Sequence, residues 1–494
     1  MAIPQEIKDV PRPKGTIIKY SFGRYFVIKR TSKRVPGKKT PRTVDLGTIG
    51  EIVDGQYVEI RKEPKKVTEG KSINIKSYGP FAVCHMVGKS LLKDLKLVFN
   101  ETDANKLYAI AILRVCEPDI RNRDIKLAYD TSYLSEVVPG IALSENTIST
   151  FLRDTGMEYL SIQNFLKARA KKFASGTQIL DSTLKDNNSD TNSFSEFSRK
   201  GRVKGSKDLA LMYSYDLESK EPVLMKTYSG NVLDVRSLND FIGEFEVQKG
   251  ILVMDKGFGS KANTDLIRSI KGLRFILPLK RSSSLLKKHK MYDDICTSIT
   301  IDDMELTYKK VAVDDRTFLY SFRDPIIAAE EEVVYLKKHD ALDPDDYGQA
   351  KKEFGVISFE TNDDMEPSQV YEAYASRWEI ETMFKMFKEI LDLDTENVHS
   401  DYSVITSEFI NYLSVIIAQR LKNLFIKTPL KEKKNKKKEV VSTTSVSENY
   451  TFKQTMRYLS KIKMVRVGNK KWVSNYPANV KYIEELANAL KLVV

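Results

Sequence analysis

Between residues 176 and 274 the chain switches repeatedly between short apolar runs and amphipathic ones, and the runs TQILD and GILVMD each close on an aspartate. Apolar runs of this length, bounded by turn-forming residues, read as buried strands. A polar Asn/Ser/Asp loop (186–197) and a hairpin pattern, LALMYSYDLESKEPVLMKTYSG, separate them, and helical patterns start at Asp234 and after Gly259. Strands, helix, strand and helix in that order predict an α/β domain built on a mixed sheet. Acids at the carboxyl ends of such strands lie where α/β active sites form. Asp181 and Asp255 hold those places, and a plain turn acid or helix cap is the alternative at each.

The flanking segments have other textures. GTIIKYSFGRYFVIKRTSKR and TVDLGTIGEIVDGQYVEI read as short strands, the second pair turning at Asp54-Gly55, with the charged turn PGKKTPR between them. Residues 81–175 are helical in pattern, with Ser144 as an N-cap and a turn expected at Asp154-Thr155-Gly156. That pair of helices reads as a helix-turn-helix or as a packing element. Residues 275–356 look like a β-rich insertion with a charged helical stretch, after which GVISFETND returns to the sheet. A long helix from Pro367 and the apolar helix VITSEFINYLSVIIAQRLKNLF follow, then a linker or surface loop, KEKKNKKKEVVSTTSVSE, and a compact helical end. The expected division is 1–80, a basic β-rich DNA-binding region; 81–175, a helical DNA-binding or dimerisation region; 176–274 and 357–428, the two parts of the core; 275–356, the insertion; and 429–494, the linker and C-terminal helical region.

Charge points to a polyanionic partner. The chain carries a formal net charge of +13, and residues 1–80 hold 18 Lys/Arg against 8 Asp/Glu, which places most of the excess in the first sixth of the chain. Such asymmetry is the electrostatic footprint of a nucleic-acid binder. Lys33, Arg34, Lys38, Lys39 and Arg42 form the basic tip that could lie along phosphates or stand as a solvated loop. No run approaches the length of a membrane span and the N-terminus has no secretion signal, so a cytoplasmic, nucleoid-associated protein without a membrane partner is expected. Cys84, Cys116 and Cys296 are widely spaced, and the histidines are scattered. Neither a His/Cys metal site nor a Cys–His nucleophile is expected, so any metal would rest on carboxylates.

The segment YASRWEIETMFKMFK supplies a further acid. On a straight helix at about 100° per residue, Tyr374, Arg377, Glu381 and Lys388 fall near 0°, 300°, 340° and 320°, one stripe about 60° wide. Ile380, Met383, Phe384, Phe387 and Leu391 occupy an adjacent face able to pack on a sheet. Ion pairing between Arg377 and Glu381 on an ordinary surface helix explains part of the stripe, but not Tyr374 or Lys388.

The spacing Tyr374-x2-Arg377-x3-Glu381-x6-Lys388 resembles the Tyr-Arg-Glu-Lys (YREK) motif of a large group of DDE transposases from bacterial and archaeal insertion sequences. The likeness extends to both aspartate-bearing strands, to DKGFGS, to a β-rich insertion and to FETN, over about 180–425. It implies a ribonuclease-H-like mixed-sheet core with a basic β/helical N-terminal region and a helical C-terminal region. It also implies a metal site of Asp181, Asp255 and Glu381 on two Mg²⁺ (or Mn²⁺) ions, Asp181 bridging both. By the same resemblance Tyr374, Arg377 and Lys388 contact phosphates and, less directly, Lys280 and Arg281 contact DNA. Trp378 stacks on a base or packs in the core, and Trp472 is structural. The partners implied are double-stranded DNA, as element ends and target, and a second protomer in the synaptic complex. Two other readings stand beside transposition: a ribonuclease-H-like nuclease or resolvase that cuts without joining, and a DNA-binding regulator with a dead core.

Overall fold

The computed structural model describes residues 3–33, 41–60, 73–198, 206–232, 234–339, 343–434 and 440–493. They form two compact units, residues 1–74 with 467–470, and residues 75–466 with 471–494. The first holds an antiparallel sheet of β1 (Thr16–Ser21), β2 (Arg24–Lys33), β3 (Arg42–Val53) and β4 (Gln56–Glu59), in that order. Val10, Val27 and Ile52 are its small core. β3 turns into β4 at Asp54 (φ 48°) and Gly55 (φ 74°), both left-handed as a tight two-residue hairpin requires. Of the basic tip, Lys33 pairs with Arg42 across β2 and β3, and the Arg42 side chain is exposed. Arg34, Lys38, Lys39 and the Lys33 side chain lie outside the described residues.

The second unit is organised by one mixed sheet. β5 (Thr177–Asn187), β6 (Lys207–Asp216) and β7 (Glu221–Ser229) are antiparallel neighbours. β8 (Lys249–Met254) adds to the other side of β5 in parallel, and β9 (Gly272–Pro278) adds to β8 in parallel. Helices α5 (Asp234–Glu244) and α6 (Lys261–Ser269) make the crossovers, where the sequence pattern placed them. The sheet then continues through β13 (Val356–Thr361), β12 (Thr317–Arg323), β11 (Met304–Asp314) and β10 (Thr297–Ile301), all antiparallel. An insertion boundary at 275 therefore cuts through β9, whose parallel pairing to β8 makes it part of the central sheet. The charged stretch within the insertion forms two helices, α7 (Pro325–Lys338) and α8 (Pro344–Glu353).

The helical segment 81–175 shares a single hydrophobic core with this sheet. It contains α1 (Gly79–Lys96), α2 (Glu101–Cys116), α3 (Glu145–Met157) and α4 (Tyr159–Lys172). Ser144 caps α3 as expected, accepting from the Thr147 N–H. The expected turn at 154–156 does not form, and α3 runs through Gly156 before breaking at Glu158. Gly156 instead allows a close approach: a Cβ there would stand 1.9 Å from the Tyr402 carbonyl oxygen.

That carbonyl belongs to α11 (Asp401–Lys427), the axis of the unit, whose Phe409, Tyr412 and Ile416 are fully buried. Its Arg420 meets Glu221 of β7 at 2.6 Å, and Arg169 of α4 meets the same carboxylate at 3.1 Å, so this buried acid is satisfied twice. The expected linker after α11 is a hairpin of Pro429–Lys434 and Val440–Ser445, in line with its β-branched VVSTT half. The C-terminal end is mixed, not all helical: helices Phe452–Leu459 and Lys481–Ala489 flank paired strands Lys463–Val467 and Val473–Asn475. Cys84 and Cys116, far apart in sequence, bring their sulfurs within 3.6 Å because α1 and α2 pack together, while Cys296 is exposed.

Candidate active site

The site forms where β8 stops and β5 does not. Their parallel register ends at Leu180 opposite Met254. Asp181 and Asp255 are the next residues on neighbouring strands and so stand at one level of the sheet. Asp181 lies within β5, not at its end: β5 extends to Asn187 because β6 pairs with it as far as Asp186. Asp255 is the last extended residue before a 3₁₀ turn, Lys256–Phe258. Asp181 Oδ1 accepts a hydrogen bond from the Ser182 N–H at 2.8 Å.

The segment carrying Glu381 is not one straight helix. α9 (Pro367–Ala375) tightens at its end, where the Arg377 N–H reaches back only to the Tyr374 carbonyl at 2.9 Å. α10 (Trp378–Lys385) follows and then widens into a π-helical turn, Met386–Ile390. One irregularity overwinds the chain and the other underwinds it, so the straight-helix angles hold only locally. The apolar face behaves as expected, with Ile380, Met383 and Phe387 buried and Phe384 edge-on to Tyr213, the β6 residue opposite Asp181.

Arg377 is the centre of the site. Its Nη2 lies 2.8 Å from Glu381 Oε1 and its Nη1 3.7 Å from Asp181 Oδ2. Burial disfavours its charge, but the field of Asp255, Glu381, Tyr374 and Asp181 outweighs this and raises its pKa above the usual arginine value. The structure thus sets Arg377 against Asp181, Glu381 and the Tyr374 ring, with Asp255 on the neighbouring strand level with Asp181. Tyr374 leans on Phe359 of β13 with ring centroids 4.8 Å apart. Its phenol pKa is raised, chiefly by burial, with Asp255 and Glu381 adding to the shift.

Lys388 is committed elsewhere. It donates to the Leu184 carbonyl on β5, pairs with Asp394 at 3.1 Å, and is largely buried. Arg281 pairs with Glu331 of α7 at 2.8 Å, and Lys280 is exposed beside it. Trp378 is 57% exposed, which removes core packing as its role. Trp472 donates to Glu136 at 3.1 Å under the Arg466 guanidinium, a structural setting.

Two features escaped the sequence. Lys256, directly after Asp255, lines a cavity of about 580 Å³ with Arg281, Tyr371 and Tyr374. Its adjacency to Asp255 was the available signal. The second is a buried ion cluster of Lys185 on β5 with Glu396 (3.2 Å) and Glu408 of α11. An isolated lysine in a polar run gave no cue to it.

Hard oxygen donors without histidine or cysteine suit Mg²⁺ or Mn²⁺. Among the described residues no group of three or more His, Cys, Asp or Glu side chains is drawn tightly enough to hold an ion. A guanidinium stands among the carboxylates instead, so the site is one that accepts positive charge.

These features define an α/β protein with an acidic site on the carboxyl side of a mixed sheet. Residues 172–404, which hold all three carboxylates, match the family model described as the transposase DDE domain. Among solved structures, the chain is similar to a piggyBac transposase synaptic complex with hairpin DNA. The two are 10% identical, covering 79% of this chain and 82% of that one, with a TM-score of 0.41. A Mos1 transposase paired-end complex with left transposon end is 14% identical over 33% of this chain and 56% of that one, with a TM-score of 0.14. No curated protein matches the sequence. Among the described residues no helix is long and apolar enough to cross a membrane.

Proposed function

We propose that the protein is a transposase of the insertion-sequence type. It binds the inverted-repeat ends of its element, cleaves them by metal-dependent phosphodiester hydrolysis and joins the freed 3′-hydroxyl ends to target DNA. The observation that carries this reading is Arg377 set against Asp181 and Glu381, with Asp255 on the neighbouring strand level with Asp181, inside a segment that matches the transposase DDE family model. The strand order β7-β6-β5-β8-β9 supports a ribonuclease-H-like core.

Asp181, Asp255 and Glu381 would hold two Mg²⁺ or Mn²⁺ ions, which when bound neutralise the phosphodiester and activate the attacking oxygen. Arg377 balances the carboxylates in the DNA-free chain, and its forked donors suit a bidentate phosphate contact. Tyr374, kept protonated by burial and by neighbouring acids, donates its O–H to a phosphate oxygen. Trp378 offers an exposed face to a base. Lys388 grips the strand carrying Asp181 and serves as a positioning residue. Lys280 and Arg281 extend the DNA path, the basic residues Lys33, Arg34, Lys38, Lys39 and Arg42 supply separate phosphate contacts, and two protomers hold the paired ends.

A plasmid carrying the element's ends tests this. Asp181→Ala, Asp255→Ala and Glu381→Ala should each abolish Mg²⁺-dependent end cleavage while DNA binding survives. A fully active Glu381→Ala protein overturns the assignment, and cleavage without joined products reduces the protein to a nuclease.

A further inference from the structure

Helix α7 packs inside out. At about 100° per residue, Ala328, Glu331, Glu332 and Tyr335 share one side. That side is the anchored one. Ala328 is the only buried residue of the helix. Glu331 takes Arg281 at 2.8 Å and the Gly355 N–H at 2.8 Å, Glu332 takes Lys351 at 2.9 Å, and Tyr335 lies on Phe354 with centroids 5.5 Å apart.

The outward side carries an apolar row along one flank of the exposed charges Glu330 and Lys337. Ile326, Ala329, Val333 and Leu336 follow one another at intervals of 3, 4 and 3 residues, the spacing of a helix–helix seam. Ile326 is 72% exposed, Val333 49% and Leu336 42%, and Ala329 is exposed as well. Ile327 and Val334, also exposed, stand beyond Glu330 and Lys337 and are not part of the seam. Scattered surface apolar residues are ordinary, whereas a contiguous seam along one helix marks an interaction site.

We propose that this seam docks against the same helix of a second copy of the chain, antiparallel. The exposed charges beside the seam favour that occupant. Glu330 and Lys337 flank it on the same side one heptad apart, so an antiparallel copy sets the acid of each helix towards the base of the other. The seam itself offers no phosphate-binding donors, which sets it apart from a DNA-binding face. The helix spans only about 21 Å, so the interface falls short of a standard stable one and the association is weak and reversible. The proposal does not depend on the catalytic reading.

Sedimentation equilibrium of the full chain, from about 1 to 200 μM, tests it against this weak-affinity range. The wild-type chain should self-associate. Val333→Asp should weaken association by at least about tenfold, the equivalent of about 1.4 kcal/mol, without altering the circular dichroism spectrum. Glu330→Lys should weaken it too, and Glu330→Lys with Lys337→Glu should restore it. A wild-type chain that stays monomeric throughout, or a Val333→Asp chain that associates as the wild type does, overturns the proposal. A double charge reversal that fails to rescue overturns the antiparallel arrangement.

Discussion

The carboxyl of Glu408 gives the protein a pH dependence that can be predicted in sign and size. Glu408 is fully buried on α11 beside Lys185, Glu396 and Asn411, whose amide donates to it at 3.1 Å. Burial lifts its pKa to about 8, Glu396 adds to the rise, and Lys185 only partly opposes it. Glu396 moves the other way, downward, held by the Lys185 charge against its own burial. Near neutrality the cluster is therefore one ammonium, one carboxylate and one protonated acid.

A carboxyl whose pKa is higher folded than unfolded favours folding at low pH, and that stability is lost as pH rises through the folded value. The window for Glu408 runs from its ordinary value near 4.5 up to about 8. Inside it each pH unit is worth about 1.4 kcal/mol, so roughly 2 kcal/mol disappears between about pH 6 and pH 8. Glu408→Gln, which cannot ionise, should lack that slope. Urea midpoints of wild type and variant across this range isolate the effect, because other titrating groups cancel in the difference. A wild-type-minus-variant difference that stays flat refutes the protonation assigned to the cluster.

Further outcomes follow from single residues. Gly156→Ala gains at most about 1 kcal/mol of helix propensity, yet its Cβ would stand 1.9 Å from a backbone oxygen that cannot swing away. The clash should win by about 1–3 kcal/mol of destabilisation in urea unfolding. An unchanged midpoint would show that α3 and α11 can separate freely. Arg377→Ala removes the guanidinium that neutralises the acids, so Mn²⁺ binding to the DNA-free protein, followed by electron paramagnetic resonance, should tighten while end cleavage falls. Weaker Mn²⁺ binding would sink the idea that Arg377 competes for the carboxylates. Trp378→Ala should leave stability within about 0.5 kcal/mol and weaken binding of end DNA in a gel-shift titration. Undiminished binding would remove Trp378 from the interface.

How much of this was legible depended on whether the signal was periodic. The hairpin β6–β7, the helices α5 and α6 and the strand β8 all lie where apolar runs and turn residues put them, because local pattern and tertiary burial agree there. Asp181 was misplaced within its strand for a physical reason. Beyond it the run STLKDN is polar, and polar residues continue a strand only when a partner and buried counter-charges satisfy them. β6 is that partner, and Glu396 and Glu408 are those counter-charges for Lys185. The breaks at Ser376-Arg377 and at Met386–Ile390 left no mark either, since every residue there is an acceptable helix former. Gly156 was read as a turn because a glycine needed for closeness looks the same in one dimension as one needed for bending.

Strand β5 links the buried cluster to the candidate site. Side chains alternate along a strand, so Asp181 and Lys185, an even number of residues apart, emerge on the same face. At one end that face reaches the partly open ground beside Asp255 and Arg377. At the other, Lys185 is locked between Glu396 and Glu408, and Lys388 holds the carbonyl of Leu184. Glu396 belongs to the short strand Thr395–Glu396, which pairs alongside the end of β5. A buried charge that loses its partner costs about 3–5 kcal/mol, so sliding β5 against α11 is penalised far more than local motion at Asp181. The candidate-site acids meet one partly buried arginine, Arg377, while the strand that carries the first of them is fixed by charges that water cannot reach. Rigidity is thus placed four residues, two repeats of the pleat, from Asp181, where it can set the position of that residue without occupying the candidate site.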